Sequence, residues 1–190
     1  VVDSAKTIIT HDSGYPREQL APFWETVTPR GYIGWGASTQ LGYGLGLAIG
    51  AKIGNPDTPV VGFAGDGAFG ISMNEMTSIG REDWPAITMI IFRNYQWGAE
   101  KRNTILWYDD NFVGTELNPG FSYAKVAEGC GLKGVQVTTQ TELTQALKDG
   151  CEAQKTGVTT FIEVILNQEL GEPFRRDAMT APVEVAGIDP

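Results

Sequence analysis

Two short segments carry the groups best suited to chemistry: Gly65-Asp66-Gly67-Ala68-Phe69, and Arg93-Asn94-Tyr95-Gln96-Trp97-Gly98, with residues 68 to 93 separating Gly67 from Asn94. Asp66 offers a carboxylate oxygen, Asn94 an amide oxygen and Gln96 a main-chain carbonyl. Magnesium favours such donors, taking a few oxygens from protein and completing a near-octahedral shell with phosphate and water. The glycines let the main chain approach a ligand, and the first turn of a helix offers free N–H groups and partial positive charge to a phosphate. Read alone, Gly-Asp-Gly fits a plain turn as well, and Asn94 fits a turn residue. What surrounds them decides between the two.

The surroundings are those of a layered α/β sheet. Pro59 to Ala64 and Ala86 to Phe92 are continuously apolar, as parallel strands covered on both faces must be. Lys6 to Thr10, Val135 to Val137 and Thr160 to Ile165 read as further strands. Helical patterns lie between them: Leu41, Leu45, Ala48 and Ile49 on one stripe, then Ile71, Met76 and Ile79, then a capping box of Thr139 and Glu142 ahead of Leu143, Ala146 and Leu147. This alternation predicts an open, mostly parallel sheet with helices on both faces across residues 1–166, followed by a C-terminal tail, 167–190. In such sheets ligands sit at the carboxyl ends of the strands, where Asp66 and Asn94 both fall if their strands are neighbours. Gly42, Gly44, Gly46 and Gly50 would each weaken a helix by about 1 kcal/mol, so something is expected to approach that backbone closely.

Bulk properties remove other classes. A formal net charge of −9 argues against a broad nucleic-acid surface, so any anion must be held locally. No apolar run reaches the roughly 18 residues of a membrane span. The two cysteines, Cys130 and Cys151, have no metal-ligand spacing, and His11 is the sole histidine, which leaves little for a zinc site or a Ser-His-Asp triad. No secretory leader opens the chain, and Val1 in place of an initiating Met points to upstream sequence, so a cytoplasmic protein or fragment of one is expected.

The spacing of Gly65-Asp66-Gly67 and Asn94 resembles the cofactor motif of thiamine-diphosphate-dependent enzymes. The resemblance implies that Asp66, Asn94 and the Gln96 carbonyl bind Mg2+, that the metal anchors the diphosphate, and that Gly65, Gly67, Ala68 and Gly98 line the same site. Gly34-Trp35-Gly36-Ala37-Ser38-Thr39-Gln40-Leu41-Gly42-Tyr43-Gly44-Leu45-Gly46 is similar to the glycine-rich segment beneath the cofactor in acetolactate-synthase-like members. It implies that Leu41 is the apolar wedge that bends the cofactor's two rings together. Gly14 falls in the first diphosphate loop. Where the family usually has a second asparagine, this chain has Arg93.

A narrower resemblance, to the branch acting on sulfoacetaldehyde, covers Phe92 to Trp107, Asn111 to Leu117 and Gly171 to Ala178. It implies an acyltransferase that takes a small anionic carbonyl compound and phosphate to acetyl phosphate and sulfite. It also implies a separate amino-terminal pyrimidine-binding domain, in the same enzyme or in a partner subunit. That domain would supply the activating glutamate in a homodimer or homotetramer, and the isolated chain would be inactive. Arg175 and Arg176, with Arg93, Lys101 and Arg102, are candidates for gripping sulfonate or phosphate, because guanidinium forks suit tetrahedral oxyanions. His11 is a further candidate at the ligand edge. Trp35, Trp97 and Trp107 are expected in the core or a subunit interface. The competing readings are an acetolactate-synthase-like enzyme, a subunit of a split sulfopyruvate or phosphonopyruvate decarboxylase and, from another class, a non-catalytic nucleotide-binding module.

Overall fold

A computed structural model describes residues 1–36, 40–81, 83–108 and 111–170. Six strands form one all-parallel sheet in the order β2-β1-β3-β4-β6-β5. These are β1 (Ile8–His11), β2 (Tyr32–Ile33), β3 (Val60–Gly65), β4 (Thr88–Arg93), β5 (Lys133–Val137) and β6 (Thr160–Ile165). The strands expected from the apolar runs are present. The two-residue β2 is an addition, too short for its periodicity to be read.

Helices cover both faces. On one, α2 (Gly44–Gly54), α3 (Asp66–Ser72), α4 (Met76–Ile79) and α6 (Tyr123–Gly129) bury Leu45, Ala48, Phe69, Met76 and Ala127 against Val60, Ala64, Met89 and Phe161. On the other, α1 (Tyr15–Leu20) and α7 (Gln140–Ala153) set Leu20, Ala146 and Leu143 against Val61, Ile90 and Ile162. β3 and β4 therefore have apolar neighbours on each side, which accounts for their unbroken hydrophobic sequence. α7 opens with the expected capping box: the Thr139 hydroxyl accepts from Glu142 N, and the Glu142 carboxylate accepts from Thr139 N.

Three helical expectations are corrected. Leu41 does not belong to the α2 stripe, because the helix begins at Gly44 and Gly42 adopts φ +88° in the loop before it. Gly46 and Gly50 face open space, so the close approach expected of all four glycines is met only at Gly42 and Gly44. The Ile71-Met76-Ile79 helix is broken into α3, a single 3-10 turn and α4, which leaves Ile71 exposed while Met76 and Ile79 are buried.

Gly134 shows how tightly α6 sits on β5. A Cβ there would lie 2.0 Å from the Ala124 carbonyl oxygen, a main-chain atom that moves only with its helix. Gly134→Ala is expected to cost about 1–3 kcal/mol, read as a lowered urea midpoint with unchanged slope.

Candidate cofactor site

The chain runs from β1 outward to β2, then returns to place β3 on the other side of β1, so a topological switch point lies between β1 and β3. At the carboxyl ends of the central strands a cavity of about 590 Å³ opens. Gly14, Leu41, Gly65, Asp66, Gly67, Ala68, Asn94, Gln96 and Gly98 all line it. β3 and β4 are neighbours with Gly65 opposite Phe92, which puts Asp66 beside Arg93 and brings the two chemistry-bearing segments together.

Asp66 is buried and starts α3. Its Oδ1 accepts from Gly67 N (2.9 Å) and its Oδ2 from Tyr95 N (2.7 Å). Burial pushes its carboxyl above the ordinary carboxylate range, while the Tyr95 N–H, the Arg93 charge and the Gly67 N–H pull it back. Tyr95 supplies its N–H from a left-handed conformation, φ +61°, a strained geometry for a residue with a side chain. Gly67 is obligatory, since a Cβ there would sit 2.7 Å from the Trp97 ring. Trp97 thus lines the cavity over Gly67 instead of filling the core, and Trp35 is half exposed.

One terminal atom of the Asn94 amide lies 3.3 Å from Asp66 Oδ1 and 3.1 Å from the Gln96 carbonyl oxygen. With nitrogen at that position the amide donates to both. With oxygen there, it faces the Asp66 carboxylate oxygen and the Gln96 carbonyl oxygen with no proton between, an arrangement that a cation stabilises. Adjacent ligands of an octahedral magnesium with ~2.1 Å bonds lie about 3 Å apart, so the spacing fits that ion. Among the described residues no three His, Cys, Asp or Glu side chains converge, so a cation here would rely on this carboxylate, amide and carbonyl plus anionic oxygens from a ligand.

Arg93 is not available to grip an anion. It is fully buried, with Nη1 3.6 Å from Asp66 Oδ2 and Nε 3.4 Å from Glu163 Oε1. Its Nη2 donates to the Asn118 and Phe121 carbonyls, and Tyr95, Phe121 and Tyr123 present their ring faces to it. Glu163, opposite Ile91 on the neighbouring strand, accepts from the Ser122 hydroxyl, Tyr123 N, Ala124 N and the Gln136 amide. Tyr123 donates its hydroxyl to the Asp66 carbonyl at 2.8 Å, and burial holds that phenol at a pKa of about 12. Sequence reasoning missed Glu163 and Tyr123. The available signal was a lone glutamate inside the apolar run of β6.

Lys101 is likewise engaged, donating to Glu116 Oε1 (2.5 Å) and Gln96 Oε1 (3.1 Å). The Gln96 side chain donates to the Gln168 carbonyl (2.9 Å), and the Gln168 amide donates to Glu116 (2.7 Å). The chain just past β6 is therefore fastened onto the loop that carries the Gln96 carbonyl. Arg17, on α1, is the one Lys or Arg among the described residues that lines the cavity. Arg102 lies on α5 (Gly98–Trp107). Arg175 and Arg176 lie outside the described residues, as do Ala37, Ser38, Thr39 and the side chain of Trp107.

His11 ends β1 rather than lying in the loop. Its ring packs 5.0 Å from that of Tyr32, and Nδ1 is 3.0 Å from the Asp12 carbonyl. Burial is the main influence holding its pKa below 6.5. The unfolded chain thus takes up a proton that the folded chain refuses, and stability present above pH 6.5 falls as pH drops through the folded value. His11→Gln should flatten this acid-side loss, checked by comparing urea unfolding of both proteins at about pH 7.5 and about pH 5.5.

Residues 12–164 match the family described as thiamine pyrophosphate enzyme, C-terminal TPP binding domain. The chain belongs to that family. Among curated relatives, this thiamine pyrophosphate-binding domain is 74% identical over 160 residues to a probable sulfoacetaldehyde acetyltransferase of Rhizobium meliloti, covering 84% of the chain and 27% of that protein. It is 66% identical over 161 residues to a sulfoacetaldehyde acetyltransferase of Rhodobacter capsulatus, covering 85% of the chain and 27% of the relative. A probable acetolactate synthase large subunit of Methanococcus aeolicus is 29% identical over 155 residues, covering 82% and 26%. The chain thus spans about a quarter of the length of the relatives it matches. No helix among the described residues is long and apolar enough to cross a membrane.

Proposed function

We propose that this chain is the diphosphate-binding part of a thiamine-diphosphate-dependent acyltransferase converting sulfoacetaldehyde and phosphate to acetyl phosphate and sulfite. In this reading Asp66 Oδ1, the Asn94 amide oxygen and the Gln96 carbonyl hold Mg2+, with Gly14, Gly65, Gly67, Ala68 and Gly98 forming the diphosphate cradle and Leu41 the wedge. The observation that carries it is the convergence of the Asp66 carboxylate, the Asn94 amide and the Gln96 carbonyl at the carboxyl ends of β3 and β4, in a chain 74% identical to a probable sulfoacetaldehyde acetyltransferase. Thiamine diphosphate, when bound, supplies the carbon nucleophile and the electron sink. The protein's residues bind and orient. Asp66 supplies the negative charge opposite the metal, the Gly67 N–H fixes that carboxylate, and Trp97 closes over the loop.

An amino-terminal pyrimidine-binding domain, from the same enzyme or from a partner subunit, completes the site in a cytoplasmic homodimer or homotetramer. Product analysis with the chain joined to that domain tests the reading. Acetyl phosphate and sulfite formed from sulfoacetaldehyde and phosphate support it, whereas acetolactate formed from pyruvate would replace it with the acetolactate-synthase-like alternative.

Arg17 is proposed as the cavity's cationic grip on the substrate's sulfonate or on phosphate, with Arg175 and Arg176 as further candidates. A charge-assisted hydrogen bond contributes about 1.5–3 kcal/mol, so Arg17→Ala is expected to raise KM for the anionic substrate by roughly 10- to 100-fold without releasing cofactor. Steady-state kinetics with saturating thiamine diphosphate measure it.

A further inference from the structure

The Asp12 carboxylate ties the loop after β1 to the segment carrying Leu41 and to the start of α2. It is fully buried at the end of β1. Oδ1 accepts from Ser13 N (2.7 Å) and Gly42 N (3.1 Å), and Oδ2 accepts from Gly44 N (2.7 Å). α2 has no side-chain cap of its own at Tyr43, so Asp12 caps it from 32 residues away. A buried carboxylate is costly without partners, and here three N–H groups and the positive end of α2 offset that cost. Both glycines of this loop are then required. A Cβ on Gly44 would lie 2.7 Å from Asp12 Oδ2, and Gly42 holds φ +88°. Leu41, immediately before Gly42, lines the cavity, as does Gly14 two residues after Asp12.

We infer that Asp12 is the positioning residue for Leu41: by clamping Gly42 and Gly44 to the first diphosphate loop, it fixes how far the leucine projects beneath the cofactor's rings. The inference rests on the reading of this cavity as the thiamine diphosphate cradle. Its loss should affect a ligand with rings differently from one that is only a diphosphate.

The test compares magnesium-dependent affinity for thiamine diphosphate and for inorganic pyrophosphate, by calorimetry, in the chain joined to its amino-terminal partner. Asp12→Asn is isosteric but turns an amide nitrogen toward N–H donors. It should weaken thiamine diphosphate about tenfold while changing pyrophosphate by less than about threefold. Combined with Leu41→Ala, it should add little to the loss either change causes alone. Gly42→Ala, strained at its positive φ, breaks the same clamp without touching the carboxylate and should reproduce the selective loss even if Asp12→Asn fails to fold. Additive effects of Asp12→Asn and Leu41→Ala, or equal losses for both ligands in the Gly42 variant, would overturn the link between Asp12 and Leu41 while leaving the cradle standing. Absence of metal-dependent binding of either ligand in the unsubstituted protein would remove the cradle, and this inference with it.

Discussion

Asp66→Ala, in the chain joined to its amino-terminal partner, should weaken magnesium-dependent thiamine diphosphate binding by at least about a hundredfold and abolish turnover. Hydrogen-bonding partners around a metal's ligands already contribute 10- to 100-fold to affinity, and here the carboxylate that faces the Asn94 amide is itself removed. Asp66→Asn separates charge from shape. It can still accept from Tyr95 N, so the loop should hold while the cation is lost. Calorimetric titration of cofactor with magnesium, then with a chelator, is the measurement. An Asp66→Ala protein that keeps normal affinity would refute the placement of the metal.

Glu163→Ala should destabilise the fold by about 3–5 kcal/mol, because it strands a guanidinium that has no route to water. Arg93 would then lack its strongest counter-charge, and Ser122, Tyr123 N and Ala124 N would lose their common acceptor at the start of α6. Removing both charges in Arg93→Met/Glu163→Gln should recover much of the loss, since a desolvated pair often does little better than apolar groups of similar volume. Denaturant unfolding of both single variants and the double variant measures it, and a double-variant loss equal to the sum of the single losses would show that the charges are not coupled. The double variant should still weaken metal binding relative to the unsubstituted protein, because Arg93 also contacts Asp66 Oδ2.

The layered sheet was legible because β3, β4 and β6 are long enough to show their apolar runs, and Thr139 with Glu142 announces α7 through purely local bonding. The site loops were legible for a different reason. Glycine and oxygen-bearing side chains stand where strands end, and the fold brings such ends together. Long-range charge placement was not legible. Arg93 looks like any basic residue in a loop until β4 pairs with β6 and sets Glu163 within 3.4 Å of its Nε. Asp12 looks like a turn aspartate until Gly42 and Gly44 arrive from 30 and 32 residues away. The start of α2 was misplaced because Leu41 keeps the apolar stripe going while Gly42 breaks the backbone, and periodicity reports only the first.

The bonds from Gln96 to Gln168 and from Gln168 to Glu116 give the chain past β6 a mechanical part to play. A truncation after Ile165, chosen because regular structure stops there, would leave the sheet intact but unfasten the buckle on the Gln96 loop. The carbonyl at its centre would turn from a fixed post into a swinging one. Such a shortened protein would melt like the parent and yet release its ligand faster.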